Sequence, residues 1–147
     1  MIAEKAGKTI LVVDDEPENL RAYQEILTDM GHRAIMETGG GSALLCVDTM
    51  EKIDLVITDY MMPGMSGLEF VSALKRKVPS MLVIMITAHA NIESYFQSLS
   101  EGVFEYVNKP VRKDEFERIV KMALARACPD NALSEGAGLT ALPNKPC

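Results

Sequence analysis

Five short apolar runs alternate with helix-periodic segments along the chain, and this alternation limits the fold more than any other feature. The runs are Thr9–Val13, Arg33–Glu37, Asp54–Thr58, Leu82–Ile86 and Phe104–Val107. The first, third and fourth are nearly unbroken in apolar, largely β-branched residues. Such strands are buried on both faces, as in a parallel sheet covered by helices. The second and fifth are more mixed, as edge strands are.

The intervening segments carry helix signals. The first opens at Pro17, which suits a first helical turn, and places Leu20, Tyr23, Ile26, Leu27 and Met30 on one face before Gly31. The second covers roughly 41–51. The third starts at Ser66-Gly67-Leu68-Glu69, a capping-box spacing, with Leu68, Val71 and Leu74 as its apolar face. The fourth spans about 91–100, with Ile92, Phe96 and Leu99 expected inward and Gly102 as the stop. The fifth follows Pro110, with Val111 as a staple, and carries Phe116, Ile119, Val120 and Ala123.

Five β-α repeats with right-handed crossovers predict an α/β three-layer sandwich. The expected organisation is an extension over 1–8, one domain over 9–127, and a flexible tail or linker start over 128–147, where Gly, Pro, Ala and Asn dominate.

Composition excludes several classes. Hydrophobic residues make up 48% of the 147, which fits a globular chain. No apolar run approaches the ~20 residues of a membrane span, and no signal-peptide core precedes the first strand. A cytoplasmic protein with no membrane partner is expected. Cys46, Cys128 and Cys147 are odd in number and far apart, which suits neither a disulfide framework nor a zinc site. A net charge of −6 argues against direct nucleic-acid binding and suits carboxylates gathered around a cation.

The chemistry lies at the strand ends. The first run ends at Asp14-Asp15, the third at Asp59 and the fourth at Thr87, and the fifth leads into Asn108-Lys109-Pro110. In an open parallel sheet these ends share one edge, and ligands bind where the strand order reverses. With order 2-1-3-4-5 the three aspartates converge. Mutually repelling carboxylates need a cation or raised pKa values, and an all-oxygen donor set favours a hard ion such as Mg²⁺. An aspartate can accept a phosphoryl group, and a lysine and a threonine hydroxyl can hold its oxygens.

Four segments, L-V-V-D-D-E, T-D-Y-M-M-P-G-M-S-G, I-T-A-H and Y-V-N-K-P, resemble in order and spacing the receiver domains of two-component response regulators. The likeness covers about residues 9–126. It implies a flavodoxin-like (βα)₅ fold with sheet order 2-1-3-4-5. It implies Asp59 as phospho-acceptor and Mg²⁺ held by Asp14, Asp15, Asp59 and the Met61 carbonyl. Thr87 would be the switch hydroxyl, Lys109 the phosphate-pairing lysine aimed by a cis bond to Pro110, and Tyr106 the aromatic that follows Thr87. Met61 and His89 fall where the family tunes phosphate lifetime.

The resemblance further implies a signalling switch rather than an enzyme, although it catalyses its own phosphoryl transfer and slow autodephosphorylation. The donor would be a histidine kinase or a phosphotransfer protein. The output face would comprise the fourth helix, fifth strand and fifth helix, with phosphorylation-dependent homodimerisation left open. A stand-alone switch and the regulatory fragment of a longer response regulator, such as a transcription factor, both remain open. A haloacid-dehalogenase-type enzyme is disfavoured, because its D-x-D pattern follows the first strand whereas this chain reads D-D-E-P there.

For the remaining residues, the residue chemistry points to ordinary roles. His89 is expected in an exposed loop near the site mouth, His32 in a structural turn, and most of the ten methionines in the core.

Overall fold

The computed structural model describes residues 7–49 and 52–127. Its order is β1 (Thr9–Val13), α1 (Pro17–Asp29), β2 (Arg33–Glu37), α2 (Gly40–Thr49), β3 (Leu55–Thr58), α3 (Gly67–Lys77), β4 (Val83–Thr87), α4 (Ile92–Ser100), β5 (Glu105–Asn108) and α5 (Lys113–Ala127). The strands form one parallel sheet, β2-β1-β3-β4-β5, as the apolar runs predict. β1 and β3 are adjacent although α1, β2 and α2 lie between them in sequence. The strand order reverses there, and the crevice opens above their carboxyl ends.

Alternate residues on each central strand face opposite sides. Ile10, Val12, Ile57, Ile84 and Ile86 pack with Leu20, Tyr23 and Leu27 of α1 and Phe116, Ile119 and Val120 of α5. Leu11, Val13, Val56, Val83 and Met85 pack with Ala43 of α2 and Phe70, Val71 and Leu74 of α3. Both faces are therefore covered, which is why the central strands read as continuous apolar runs.

Local chemistry sets the ends of α3 and α1. The Ser66 side chain accepts from the Glu69 amide at 3.1 Å while the Glu69 carboxylate accepts from the Ser66 amide at 3.0 Å. α1 ends where Gly31 adopts φ +91°, a conformation open to glycine at little cost. His32 is structural: its Nδ1 accepts from the Lys8 amide at 3.0 Å, and burial together with the Lys8 charge lowers its pKa. Cys46 is half-buried, and burial pushes its thiol pKa up. Cys128, Cys147 and the expected tail lie outside the described residues.

The fourth helix departs from expectation. Ile92, Phe96 and Leu99 were expected inward, yet they are 74%, 60% and 41% exposed. The buried residues are Ser94 and Ser98. Helical periodicity shows that an apolar stripe exists, not which stripe meets the sheet. Here the inward positions approach β4 and β5 closely enough for Ser98 Oγ to lie 3.4 Å from Met85 Sδ, leaving room for small side chains. Among the described residues, α4 contributes nothing to either apolar cluster.

This inversion has a measurable consequence for stability. Phe70→Ala, at a fully buried position, is expected to cost about 3–5 kcal/mol. Phe96→Ala is expected to stay within roughly 0.5 kcal/mol of wild type. Urea unfolding of the two variants measures both values, and a Phe96→Ala loss as large as that of Phe70→Ala would restore the inward reading.

Candidate functional site

Three backbone hydrogen bonds extend the parallel ladder one step past the strands and fix the residues at the crevice. The Asp14 amide donates to the Glu37 carbonyl at 3.1 Å, and the Asp59 amide to that of Val13 at 3.0 Å. The Lys109 amide donates to the Thr87 carbonyl at 2.8 Å. Asp14, Asp59 and Lys109 thus take their places from strand register.

Their side chains meet. Lys109 Nζ lies 3.1 Å from Asp14 Oδ2 and 3.1 Å from Asp59 Oδ2. Both carboxylates are buried, at 2% and 8% residue exposure. Buried charge is costly unless paired, and the shared ammonium meets much of that cost. Burial pulls the Lys109 pKa down, but the hydrogen bonds and charges of Asp14 and Asp59 outweigh it and hold the pKa above the ordinary lysine value. The stability linked to this raised pKa is fully present below the unfolded lysine value near 10.4 and is lost only as pH rises through the folded value. Lys109 is therefore a fixed cation at neutral pH.

The other carboxylate oxygens have backbone partners. Asp14 Oδ1 accepts from the Glu16 amide at 2.9 Å, and Asn19 Nδ2 donates to Asp14 Oδ2 at 3.3 Å. Asp59 Oδ1 accepts from the amides of Tyr60 at 2.6 Å and Met61 at 3.3 Å. Asp15 is more open and has no such partner among the described residues. One carboxylate oxygen from each of Asp14, Asp15 and Asp59 lies within 4.8 Å of the others. Three carboxylates with one ammonium leave excess negative charge at this edge.

The β3–α3 loop holds Asp59 from behind. The Gly67 amide donates to the Tyr60 carbonyl at 2.7 Å. A Cβ at Gly67 would collide with the Asp59 carbonyl oxygen and lie 2.8 Å from Tyr60 Cα, so the helix can start this close only with glycine. Gly64 in the same loop has φ +83° but open space around it, so its need is conformational.

Of the remaining expected site residues, Thr87 is fully buried at the end of β4, and its Oγ1 accepts from the His89 amide at 3.1 Å. His89 itself is exposed. The Met61 side chain is 52% exposed. The Lys109–Pro110 peptide bond is cis. Tyr106 is half-buried on β5; its hydroxyl hydrogen-bonds Ser94 Oγ and its ring meets the edge of Tyr95, with centroids 5.7 Å apart. The sheet edge thus unites Asp14, Asp15, Asp59 and Lys109, while Tyr106 joins α4.

Sequence reasoning missed Asn19, Gly67 and Ser94. Asn19 lies one helical turn after Asp14-Asp15 and could have been found from that spacing. Gly67 had been read only as part of a capping box.

Comparison with known proteins gives the family and the fold. A family model described as the response regulator receiver domain matches residues 10–121. The chain belongs to that family. The receiver domain is 33% identical over 120 residues to the transcriptional regulatory protein GlrR of Escherichia coli (strain K12), which covers 82% of this chain and 27% of that protein. The chain thus spans about a quarter of the length of that relative. A response regulator receiver domain protein from Clostridium thermocellum superposes with TM-score 0.76 at 31% identity, covering 81% of this chain and 95% of that one. A CheY-like receiver domain protein from Methanospirillum hungatei JF-1 gives TM-score 0.81 at 28% identity, covering 85% and 99%. Receiver domains of this family are signalling switches in two-component systems. Among the described residues, no helix is long and apolar enough to cross a membrane.

The unpaired charge gives a direct test of the electrostatics. Asp15→Asn removes one of three mutually repelling carboxylates and leaves the Lys109 contacts in place. In metal-free buffer it is expected to raise stability by about 0.2–1 kcal/mol, the range of exposed charge pairs. Added salt should shrink the gain. Thermal melts at two ionic strengths check it, and a destabilised variant would mean that Asp15 has a structural partner.

Proposed function

We propose that this receiver domain accepts a phosphoryl group on Asp59 and changes its α4–β5–α5 face in response. The observation that carries the reading is the Lys109 ammonium bridging Asp14 and Asp59, with a third carboxylate, Asp15, free beside them.

The donor set fits a hard divalent cation. The candidate ligands are all oxygen, and their separations of up to 4.8 Å are close to the roughly 4.2 Å between opposite ligands of an ion with ~2.1 Å bonds. Asp14, Asp15, Asp59 and the Met61 carbonyl would hold Mg²⁺, with Asp14 binding directly or through water. Bound there, the ion would neutralise charge on the phosphoryl oxygens.

The chain's own residues do the rest. An Asp59 carboxylate oxygen attacks phosphorus in line. The new P–O bond forms as the P–N bond of a phosphohistidine breaks, and the imidazole nitrogen leaves with the electron pair and takes a proton from solvent. The amides of Tyr60 and Met61 orient the attacking carboxylate. Lys109 pairs with one phosphoryl oxygen and the Thr87 hydroxyl donates to another. Thr87 then leaves its contact with the His89 amide, and Tyr106 repacks. Attack of water on the acyl phosphate returns free Asp59 and inorganic phosphate in a slow autodephosphorylation, at a rate to which Met61 and His89 contribute. A nearly complete switch between two states requires a preference of ~5.5 kcal/mol, within reach of several charge-assisted hydrogen bonds.

A histidine kinase or phosphotransfer protein would supply the phosphoryl group from the cytoplasm. The output is transmitted to a downstream partner or to an effector domain of a longer regulator. The second form is favoured by the 27% coverage of GlrR. Phosphorylation-dependent pairing of two copies through the same face fits the exposed α4 stripe.

Intact-protein mass spectrometry after incubation with acetyl phosphate and Mg²⁺ tests the central step. The wild type is expected to gain one phosphoryl group, and Asp59→Asn and chelator-treated samples none. A gain that survives Asp59→Asn would place the acceptor elsewhere.

A further inference from the structure

α4 is held to the sheet by polar contacts where the other helices use apolar side chains. Its buried residues are Ser94 and Ser98, and its apolar stripe faces outward. Ser98 Oγ reaches Met85 Sδ at 3.4 Å, and Tyr60 Oη reaches Gln97 Oε1 at 3.4 Å. With so little apolar burial, a single hydroxyl contact carries unusual weight in fixing the helix.

Ser94 is the most connected of these groups. Its amide donates to Asn91 Oδ1 at 2.8 Å, closing the N-terminal box of α4. Its Oγ donates to the Asn91 carbonyl at 3.1 Å and accepts from the Asn91 amide at 3.2 Å. A serine hydroxyl has one proton and two lone pairs. The third partner of Ser94 Oγ is the Tyr106 hydroxyl, and either oxygen can donate in that hydrogen bond. Ser94 is 3% exposed, which leaves little water to replace that partner. The Tyr95 ring packs edge-on to Tyr106 and closes the contact on one side.

We propose that Ser94 is a positioning residue that latches Tyr106 to the first turn of α4 and thereby sets the resting bias of the switch. The proposal rests on the reading of Asp59 as acceptor and of Thr87 and Tyr106 as its relay. In the latched arrangement the Thr87 hydroxyl is engaged by the His89 amide and Tyr106 by Ser94. In the proposed switch, phosphorylation exchanges both contacts as Thr87 moves toward the phosphoryl group and Tyr106 repacks. Release of Tyr106 also removes one of the three partners of Ser94 Oγ and loosens the turn that carries Ile92 and Tyr95. The tyrosine's position is in this way passed to the exposed apolar stripe.

The test uses Ser94→Ala, Tyr106→Phe and the double variant. Loss of one hydrogen bond that favours the resting state should speed phosphorylation by acetyl phosphate about threefold to tenfold in each single variant. The double variant should be no faster than either single, because both remove the same bond. A second readout needs no phosphorylation: the ¹³Cζ resonance of Tyr106 in labelled, unmodified protein should shift on Ser94→Ala. Unchanged rates in a protein whose wild type does phosphorylate, or single effects that multiply in the double variant, would overturn the latch. An unmoved Tyr106 resonance would overturn it whatever the phosphorylation result. A wild type that takes no phosphoryl group would overturn the acceptor reading and the switching role of Ser94 with it, while a shifted resonance would mark the contact itself as real.

Discussion

The structure turns on one ammonium shared by two buried carboxylates. Lys109 reaches Asp14 and Asp59 at the same distance, 3.1 Å, from the far side of the crevice. Without that cation, two carboxylates near the sheet edge would have to be protonated or solvated. With it, both carboxylates have a charged partner in the protein interior. The sheet exists in this order partly to make the encounter possible: β1 supplies Asp14, β3 supplies Asp59, and Lys109 comes from beyond the edge strand β5, held to β4 through the Thr87 carbonyl.

Lys109 therefore belongs to two circuits. One is electrostatic and ends in the open carboxylate of Asp15, where a divalent cation fits the oxygen donors. The other is mechanical. The same peptide ladder that positions Lys109 carries Thr87 and, two residues before Asn108, Tyr106, whose hydroxyl ends on α4. A change in charge at Asp59 thus has a short physical path to the least firmly anchored helix. α1 and α3 each bury large apolar side chains, so they have little freedom to respond.

Much of this was legible in the sequence, for identifiable reasons. β1, β3 and β4 announced themselves because strands buried on both faces read as near-continuous apolar runs, and their ends pointed to Asp14, Asp59 and Thr87 without any knowledge of packing. Lys109 could be placed because it follows the last strand. What stayed hidden depends on distances between elements. The stripe of Ile92, Phe96 and Leu99 looked like a core face because periodicity has no sign, and only the narrow gap over β4 and β5 shows why serines are inside. Gly67 gave no hint that its missing Cβ makes room for the Asp59 carbonyl. Ser94 drew no attention in the sequence, since its partner is a tyrosine twelve positions later.

The most direct measurement of the central claim, that the state of Asp59 is carried to α4, is a ¹H–¹⁵N NMR comparison of the protein with Mg²⁺ alone and with Mg²⁺ plus beryllofluoride, a phosphoryl mimic. The account predicts large shifts at Asp59, Thr87 and Lys109 that continue through Tyr106 into residues 91–99, with α1 and α3 beyond the crevice little changed. Shifts confined to the crevice, with Tyr106 and α4 unmoved, would contradict it.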